Sequence, residues 1–471
     1  MATSTKFGSY TPKASTSTAP EYSFGMFFDG TLNNKTNTEG RQQYNKQGKG
    51  AQLTEANKEK AAAYKKYGKG DEKSSYQNDY SNVARIWEGY AGSQRIYIEG
   101  IGTTDNKGDD SLGYALGTGD TGVAKLVEKG CRLLAEKLPM GKTIAKLTVD
   151  VFGFSRGSTA ARHFVAQLSK PEIKTPKPAA AHGYLGNFLK TRGIKLQQLE
   201  IRFLGIYDTV SSYEPRATSV YSRQALNHDF SNDVAELELN NITKAKCIFH
   251  LTAENEHREN FALTHVHSGL EKSLPGVHCD IGGSYTTGRE YVDEIINGSK
   301  AELAKEKERL IQQGWYTEKE LGVGFFGPNF KLYGDRASVS HIYSYIPLHM
   351  MVDYALAYYA KTGTKGQPRA INKGTLSAKY NFAKDPLLVR VNTKLNNFVF
   401  KGGKTYTFKW FKDIHERYKG IKPNDPRFAN YQQELQEQKD LRLLRNKYLH
   451  WSANYDWIGM DPTPNRVRVT Y

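Results

Sequence analysis

Cysteine is scarce in this chain: three residues in 471, Cys131, Cys247 and Cys279, far apart and without a CxxC spacing. An odd, dispersed set supports neither a disulfide framework nor a thiolate zinc site, and the three read as small buried or half-buried residues. Long apolar runs are missing too. No stretch approaches the roughly 18 apolar residues of a membrane-spanning helix, and the Ser/Thr-rich opening from Met1 to Pro20 holds no apolar run. Synthesis in the cytoplasm without a secretory signal is expected. Acidic residues are outnumbered, 66 Lys and Arg against 49 Asp and Glu, which leaves a formal net charge of +17. Such an excess seeks an anionic counterpart, nucleic acid or a membrane surface. No zinc-finger, RRM or KH pattern accompanies it, so peripheral membrane contact is expected and nucleic acid is not. With 38% hydrophobic and 24% charged residues, the chain lies outside the class that stays disordered.

From residue 22 onward, short β-type runs alternate with helical patterns, the signature of an α/β domain with a mostly parallel sheet flanked by helices. The strand-like runs are Tyr22 to Phe28, Gln94 to Ile98, Lys146 to Phe152 and Leu199 to Tyr207. Helix-period apolar residues mark Asp79 to Tyr90, Thr121 to Leu138 and Ser155 to Leu168. Residues 1–21 read as a flexible leader and 22–360 as the catalytic domain, with long insertions near 33–77 and 299–340. The first insertion, polar and Lys-rich, is far longer than the usual βα connection of about 2 to 6 residues and is expected to be a functional or mobile loop. The second holds a charged helical stretch and then Gly322 to Phe330, an aromatic cluster on a glycine-punctuated, flexible backbone. Residues 361–471 read as a C-terminal subdomain packed on the catalytic domain, with β-type residues from Lys394 to Phe411 around a Gly402-Gly403 turn and an amphipathic helix over Arg427 to His450.

The strongest local signal is Gly153-Phe154-Ser155-Arg156-Gly157, a GxSxG set between a β-type run and a helical one. That context is a nucleophile elbow: a turn too sharp to admit a Cβ at either glycine projects the serine above the sheet, at the positive end of the following helix. A serine hydroxyl needs a base, and the base needs an orienting acid. In this fold the chain order is Ser, acid, His. The next convincing strand after Ser155 ends in Asp208, on the rim where the elbow lies, which makes Asp208 the candidate acid. Of twelve histidines, His278 suits the base best, in a short apolar run opening into a glycine-rich loop; His257 and His265 are its rivals. The oxyanion hole would use the N–H of Arg156 and one near Gly30, after the first strand.

Three decoys fall away. Asp29-Gly30-Thr31 resembles the phosphotransfer motif DxDGT, but Phe27 stands where its first aspartate belongs. Gly117 to Gly122 spells GxGxxG without an apolar strand before it, so Asp120 or Thr121 capping a helix is the better account. Asp280 could share a metal with His278, yet no third or fourth ligand is apparent; no metal or other cofactor is expected.

Taken together, Phe28 to Thr31, Gly153 to Gly157 with Ala160, Ala161 and Arg162, Tyr207 to Val210, Glu254 to Phe261, Pro275 to Tyr285 and Ile346 to Met351 resemble the α/β-hydrolase family of type VI secretion lipase effectors, over about residues 22 to 355. The resemblance implies an antibacterial phospholipase A with its triad at Ser155, Asp208 and His278. It further implies export by a type VI system with a secretion-spike or adaptor partner, action on phospholipid from the target cell's periplasm, and an immunity protein in the producer. The alternatives are a non-secreted lipase of the same family and a basic lipid- or nucleic-acid-binding protein with a vestigial elbow. For membrane contact the candidates are Lys58, Lys60, Lys65, Lys66 and Lys69 as an electrostatic landing site and Phe325, Phe326 and Phe330 for shallow insertion.

Overall fold

A computed structural model describes residues 18–110, 122–174, 178–211, 234–326, 329–362, 370–455 and 460–471. Its centre is a six-stranded sheet, every neighbouring pair parallel, in the order β2-β1-β3-β4-β5-β6. The strands are β1 (Glu21–Phe28), β2 (Arg95–Ile98), β3 (Thr143–Phe154), β4 (Lys195–Tyr207), β5 (Ile248–Ala253) and β6 (Leu270–Leu274). Beyond Thr143, β3 is buried throughout, as a strand covered on both faces must be. The period of two divides its side chains, and those of its neighbours, between two layers. Met26, Phe28, Val149, Val151 and Leu204 pack with helices Val123–Glu136 and Arg156–Leu168. Phe27, Phe152 and Phe203 face the other way, against helices Asn82–Gly89 and Tyr345–Thr362.

The polar insertion after β1 is helical rather than a loop. Asn34 caps helix Lys35–Gly48 by accepting the Asn37 N–H at 3.1 Å, and a second helix, Glu55–Ala63, follows. Tyr44 packs on a small cluster of Tyr64 and Tyr76 that ties this lobe together, so two helices with little apolar surface are held by three tyrosines. The candidate caps Asp120 and Thr121 lie outside the described residues, and the helix that follows them has Gly122 at its N-cap.

The second insertion contributes to a separate antiparallel sheet, ordered β7-β9-β8, from β7 (Gly288–Gly298), β8 (Leu321–Phe326) and β9 (Asn329–Val339). Its charged stretch is helix Lys300–Gln313, opened by a Ser299/Glu302 capping box. Of the segment expected to be flexible, residues 322–326 and 329–330 are instead strand. A Cβ on Gly322 would lie 2.2 Å from the ring of Tyr333, so this glycine makes room for a cross-strand aromatic.

Lys394 to Phe411 is also corrected. Asp385 accepts the Leu387 and Leu388 N–H groups at 2.9 and 3.0 Å, Pro386 occupies the first turn, and a helix runs Pro386–Lys401 until Gly402 ends it at φ 73°. Residues 402–410 form no strand. The apolar residues there that suggest β structure, Leu395 and Val399, are four apart on the helix's buried face, continuing Leu388 and Val391. These side chains, and Leu444 from helix Phe428–Lys447, join the same core as Phe152 and Phe203. Among the described residues no helix is long and apolar enough to cross a membrane.

Candidate active site

The strand order reverses between β1 and β3, the place where an open parallel sheet leaves a crevice beyond its carboxyl ends. Phe28 stands in register with Gly153, so the chain leaves both strands side by side. Ser155 follows at once, with φ 60° and ψ −132°, a conformation costing a non-glycine residue of order 1–3 kcal/mol. Packing enforces it. A Cβ on Gly153 would meet the Gly157 carbonyl oxygen at 2.6 Å, and one on Gly157 would meet the Asp29 carbonyl oxygen at 2.2 Å. The Ser155 N–H donates to the Tyr207 carbonyl at 3.0 Å; Ser158 Oγ donates to the same oxygen at 2.8 Å and Thr159 Oγ1 to that of Val210 at 2.6 Å. The elbow is thus stitched to the end of β4, where Asp208 lies.

Asp208 is fully buried, and its carboxylate takes four donors. Oδ1 accepts from the Ala253 N–H at 2.8 Å and Arg468 Nη1 at 2.7 Å; Oδ2 accepts from Arg468 Nη2 at 2.8 Å and faces His278 Nδ1 at 2.5 Å. Burial alone would raise its pKa, but the Arg468 guanidinium and then His278 outweigh burial and hold the carboxyl well below the usual range.

His278 begins a short helix, His278–Gly282, rather than lying in a glycine-rich loop. Its ring sits 4.6 Å from that of Phe154, the residue before the elbow serine, and 5.0 Å from that of Phe261. Its N–H donates to Glu256 Oε2 at 3.1 Å. Nδ1 is committed to Asp208, while Nε2 is buried without a hydrogen-bond partner among the described residues. Burial lowers the imidazole pKa below its ordinary 6.5, opposed by the contact with Asp208. The structure therefore brings Asp208 and His278 into direct contact and sets both against the elbow that carries Ser155. The rivals are occupied elsewhere: His257 Nδ1 bonds the Asn255 carbonyl at 2.9 Å and His265 Nδ1 the Glu271 carboxylate at 2.6 Å.

At the oxyanion position, Arg156 follows Ser155 as the first helical residue, its side chain tied through Nε to Thr31 Oγ1 at 2.8 Å. Gly30 packs against Phe154, where a Cβ would come within 2.7 Å of the ring. Its N–H is not free, however, because it donates to Asp29 Oδ1 at 2.7 Å. Asp29 also accepts from Tyr97 at 2.6 Å, and burial pushes its carboxyl up to about 6.

Sequence reasoning assigned no role to several groups that hold this site. Glu256 accepts the His257, Arg258 and His278 N–H groups and pairs with Arg258, whose guanidinium keeps it ionised despite burial. Asp280, considered above as a metal ligand, instead accepts the Val277 and His450 N–H groups, each at 3.0 Å, and lies 2.7 Å from His450 Nδ1. Arg468, in a sequence with no motif around it, carries no signal that could have flagged it.

Of the membrane candidates, Phe325 is 82% exposed, and Phe330 lies opposite it, ring centroids 5.5 Å apart. Phe326 ends β8 and its side chain lies outside the described residues. Lys58, Lys65, Lys66 and Lys69 are exposed, Lys58 also paired with Glu55 at 2.7 Å, whereas Lys60 is half-buried and ion-paired with Glu39 at 2.5 Å.

Residues 169–305 match the family model described as T6SS, phospholipase effector Tle1-like, catalytic domain. The chain resembles the type VI secretion lipase effectors. Asp208 and His278 fall within the Tle1-like segment, and Ser155 precedes it. No curated protein sequence matches the chain. Among solved structures, the Tle1 effector bound to the VgrG spike of the type 6 secretion system is 19% identical, over 96% of this chain and 94% of that one, with a TM-score of 0.56, a likeness of fold. An uncharacterized protein from Pseudomonas aeruginosa is 16% identical, over 91% of this chain and 60% of that one, with a TM-score of 0.39, too low to inform the fold.

Proposed function

We propose that the chain is a serine esterase that hydrolyses acyl ester bonds of membrane glycerophospholipids, of phospholipase A type, and acts as an antibacterial type VI secretion effector. The observation that carries this reading is a buried Asp208–His278 pair whose remaining ring nitrogen has no partner among the described residues, beside a serine held at positive φ on a glycine-flanked turn. His278 Nε2 takes the proton of Ser155 as Oγ attacks the ester carbonyl, and Asp208 stabilises the imidazolium. The Arg156 N–H holds the oxyanion, joined by the Gly30 N–H once it is released from Asp29. The imidazolium returns its proton to the leaving alcohol, and water, activated by the same ring, hydrolyses the acyl-enzyme.

The Tle1-like match and the Tle1 fold support export by a type VI system with a spike or adaptor partner and a phospholipid substrate; the same reading entails action from the target-cell periplasm and an immunity protein in the producer. Exposed lysines of the lobe after β1 and Phe325 at the hairpin tip would supply the interfacial contact.

A fluorophosphonate probe and hydrolysis of a bacterial lipid extract test the chemistry together. The expected result is labelling of the wild type, none of Ser155→Ala, and release of free fatty acid only by the former. A folded wild type that is neither labelled nor hydrolytic would favour a lipid-binding protein with a vestigial elbow.

A further inference from the structure

Residues 460–471 run along the segment that follows β5. The Leu263 N–H donates to the Val469 carbonyl at 2.9 Å, the Tyr471 N–H to that of Leu263 at 2.8 Å and the His265 N–H to that of Tyr471 at 2.9 Å. This pairing turns alternate side chains in opposite directions: Val467 and Val469 are exposed, whereas the side chain of Arg468 between them is 8% exposed and reaches Asp208. Four hydrogen bonds engage its fork. Nη1 and Nη2 grip the two carboxylate oxygens, Nε donates to the Phe261 carbonyl at 2.8 Å, and Nη1 also reaches that of Ala253 at 3.2 Å. An acid that only oriented a histidine would need one oxygen on the ring and one on a backbone amide. Here a buried cation is added, gripping both oxygens in the bidentate geometry that fixes the carboxylate plane.

We propose that Arg468 is a positioning residue of the triad: its guanidinium fixes the plane of the Asp208 carboxylate, and its charge offsets that of Asp208 so that His278 rests as a neutral base. The inference rests on the hydrolase reading above and deepens it. The charged and titratable groups around this ring are Asp208 and Arg468 from one side and Glu256 and Arg258 from the other, with His250 near Asp208. Glu256 and Arg258 are paired with each other, at 2.8 Å. Without Arg468, the uncompensated Asp208 anion favours the imidazolium, so the His278 pKa is expected to rise.

The test uses the full chain with Arg468→Met, which keeps the bulk without the charge, and Arg468→Lys, which keeps the charge without the fork. The His278 ring is titrated by NMR, and hydrolysis of a soluble p-nitrophenyl short-chain ester is followed against pH. In Arg468→Met the His278 pKa and the acid limb of kcat/KM are expected to rise by about one unit, and kcat to fall about ten- to a hundredfold with little change in KM. Arg468→Lys should restore the pKa and only part of the turnover. Unchanged titration and turnover in Arg468→Met overturn the proposal. So does a loss of turnover that merely tracks loss of folded protein while the pKa stays put. Should Arg468→Met fail to fold, wild-type turnover in Arg468→Lys overturns it. The titration needs no catalysis, so an inactive wild type would count against the hydrolase reading and leave the role of Arg468 to be decided by the His278 pKa.

Discussion

At the carboxyl edge of the parallel sheet, Phe154 is 1% exposed and its ring packs on that of His278; at the tip of the β8–β9 hairpin, Phe325 is 82% exposed. Both aromatics sit on strands within glycine-rich sequence, yet one is surrounded and the other presented. Around Phe154 the backbone is held by neighbours that leave no space for a single added carbon, and the His278 N–H and Nδ1 are both engaged, by Glu256 and Asp208. Around Phe325 the ring contact among the described residues is with Phe330 across the ladder. Around Asp208, His278 and the elbow the first region has the rigidity that transition-state stabilisation requires, and the Gly30 N–H is the donor that must change partner. The second presents an exposed apolar side chain, which the proposed interfacial contact would use. The contrast predicts that substitutions at the edge strike chemistry on every substrate, whereas substitutions at the hairpin strike only substrates held in a bilayer.

The largest effect at the edge, short of removing the nucleophile, is expected from Asp208→Asn. An amide in place of the acid in a serine triad lowers turnover by about 10⁴, because the imidazole loses its tautomer and its counter-charge. Here it also leaves the Arg468 cation buried without its anion, which destabilises the fold by roughly 3–5 kcal/mol. The sign of the pH effect follows. With the anion gone the imidazolium is less favoured, so the His278 pKa, already lowered by burial, falls further and the acid limb of residual activity moves to lower pH, opposite to Arg468→Met. A pH–rate profile and a thermal melt check both parts.

Gly157→Ala is the next largest. The new methyl would lie 2.2 Å from the Asp29 carbonyl oxygen and 2.4 Å from that of Phe28, both backbone atoms, so the elbow or the end of β1 must move. Overpacking of this kind costs about 1–3 kcal/mol, and a misplacement near 1 Å in the reacting groups costs about 10² in rate. Turnover of a soluble ester should fall by that order while a folded protein remains; wild-type kinetics would show that the two segments are not locked together.

How much of this was legible in the sequence depends on how far apart the interacting residues lie. The elbow is readable because its glycines, strand and helix are contiguous, and Asp208 follows from the strand that ends at it. Chain order places the base after Asp208 but leaves His257 and His265 as candidates too, and only the short apolar run before His278 favours it. The helix at Pro386–Lys401 was missed because β-branched and aromatic residues outweighed the cap and proline at its start, although Asp385-Pro386 and Gly402 mark both ends. The hairpin was missed because its glycines, among them Gly322 that makes room for Tyr333, read as flexible backbone. Arg468 could not be found at all: it is 260 residues from Asp208, and only the pairing of residues 460–471 with Leu263 and His265 brings it there.

The smallest effect belongs to the hairpin and decides whether the two regions divide the work. Phe325→Asp removes an apolar side chain that touches little of its own protein, so stability should change by less than about 0.5 kcal/mol. Moving a phenylalanine side chain out of water gains about 1.5–3 kcal/mol, and a carboxylate facing an anionic leaflet loses about 1 kcal/mol more. Partial insertion realises only part of the first figure, which points to a loss of about tenfold in binding to vesicles containing phosphatidylglycerol and in hydrolysis of their lipids. Added salt should weaken the wild type on the same vesicles, because the exposed lysines after β1 act over a Debye length of about 8–10 Å. Hydrolysis of a soluble short-chain ester should be unchanged, since nothing at Phe325 touches Ser155, Asp208 or His278. Equal loss on vesicles and on the soluble ester would mean that the hairpin shapes the acyl site itself, and the division drawn between the two sheets would not hold.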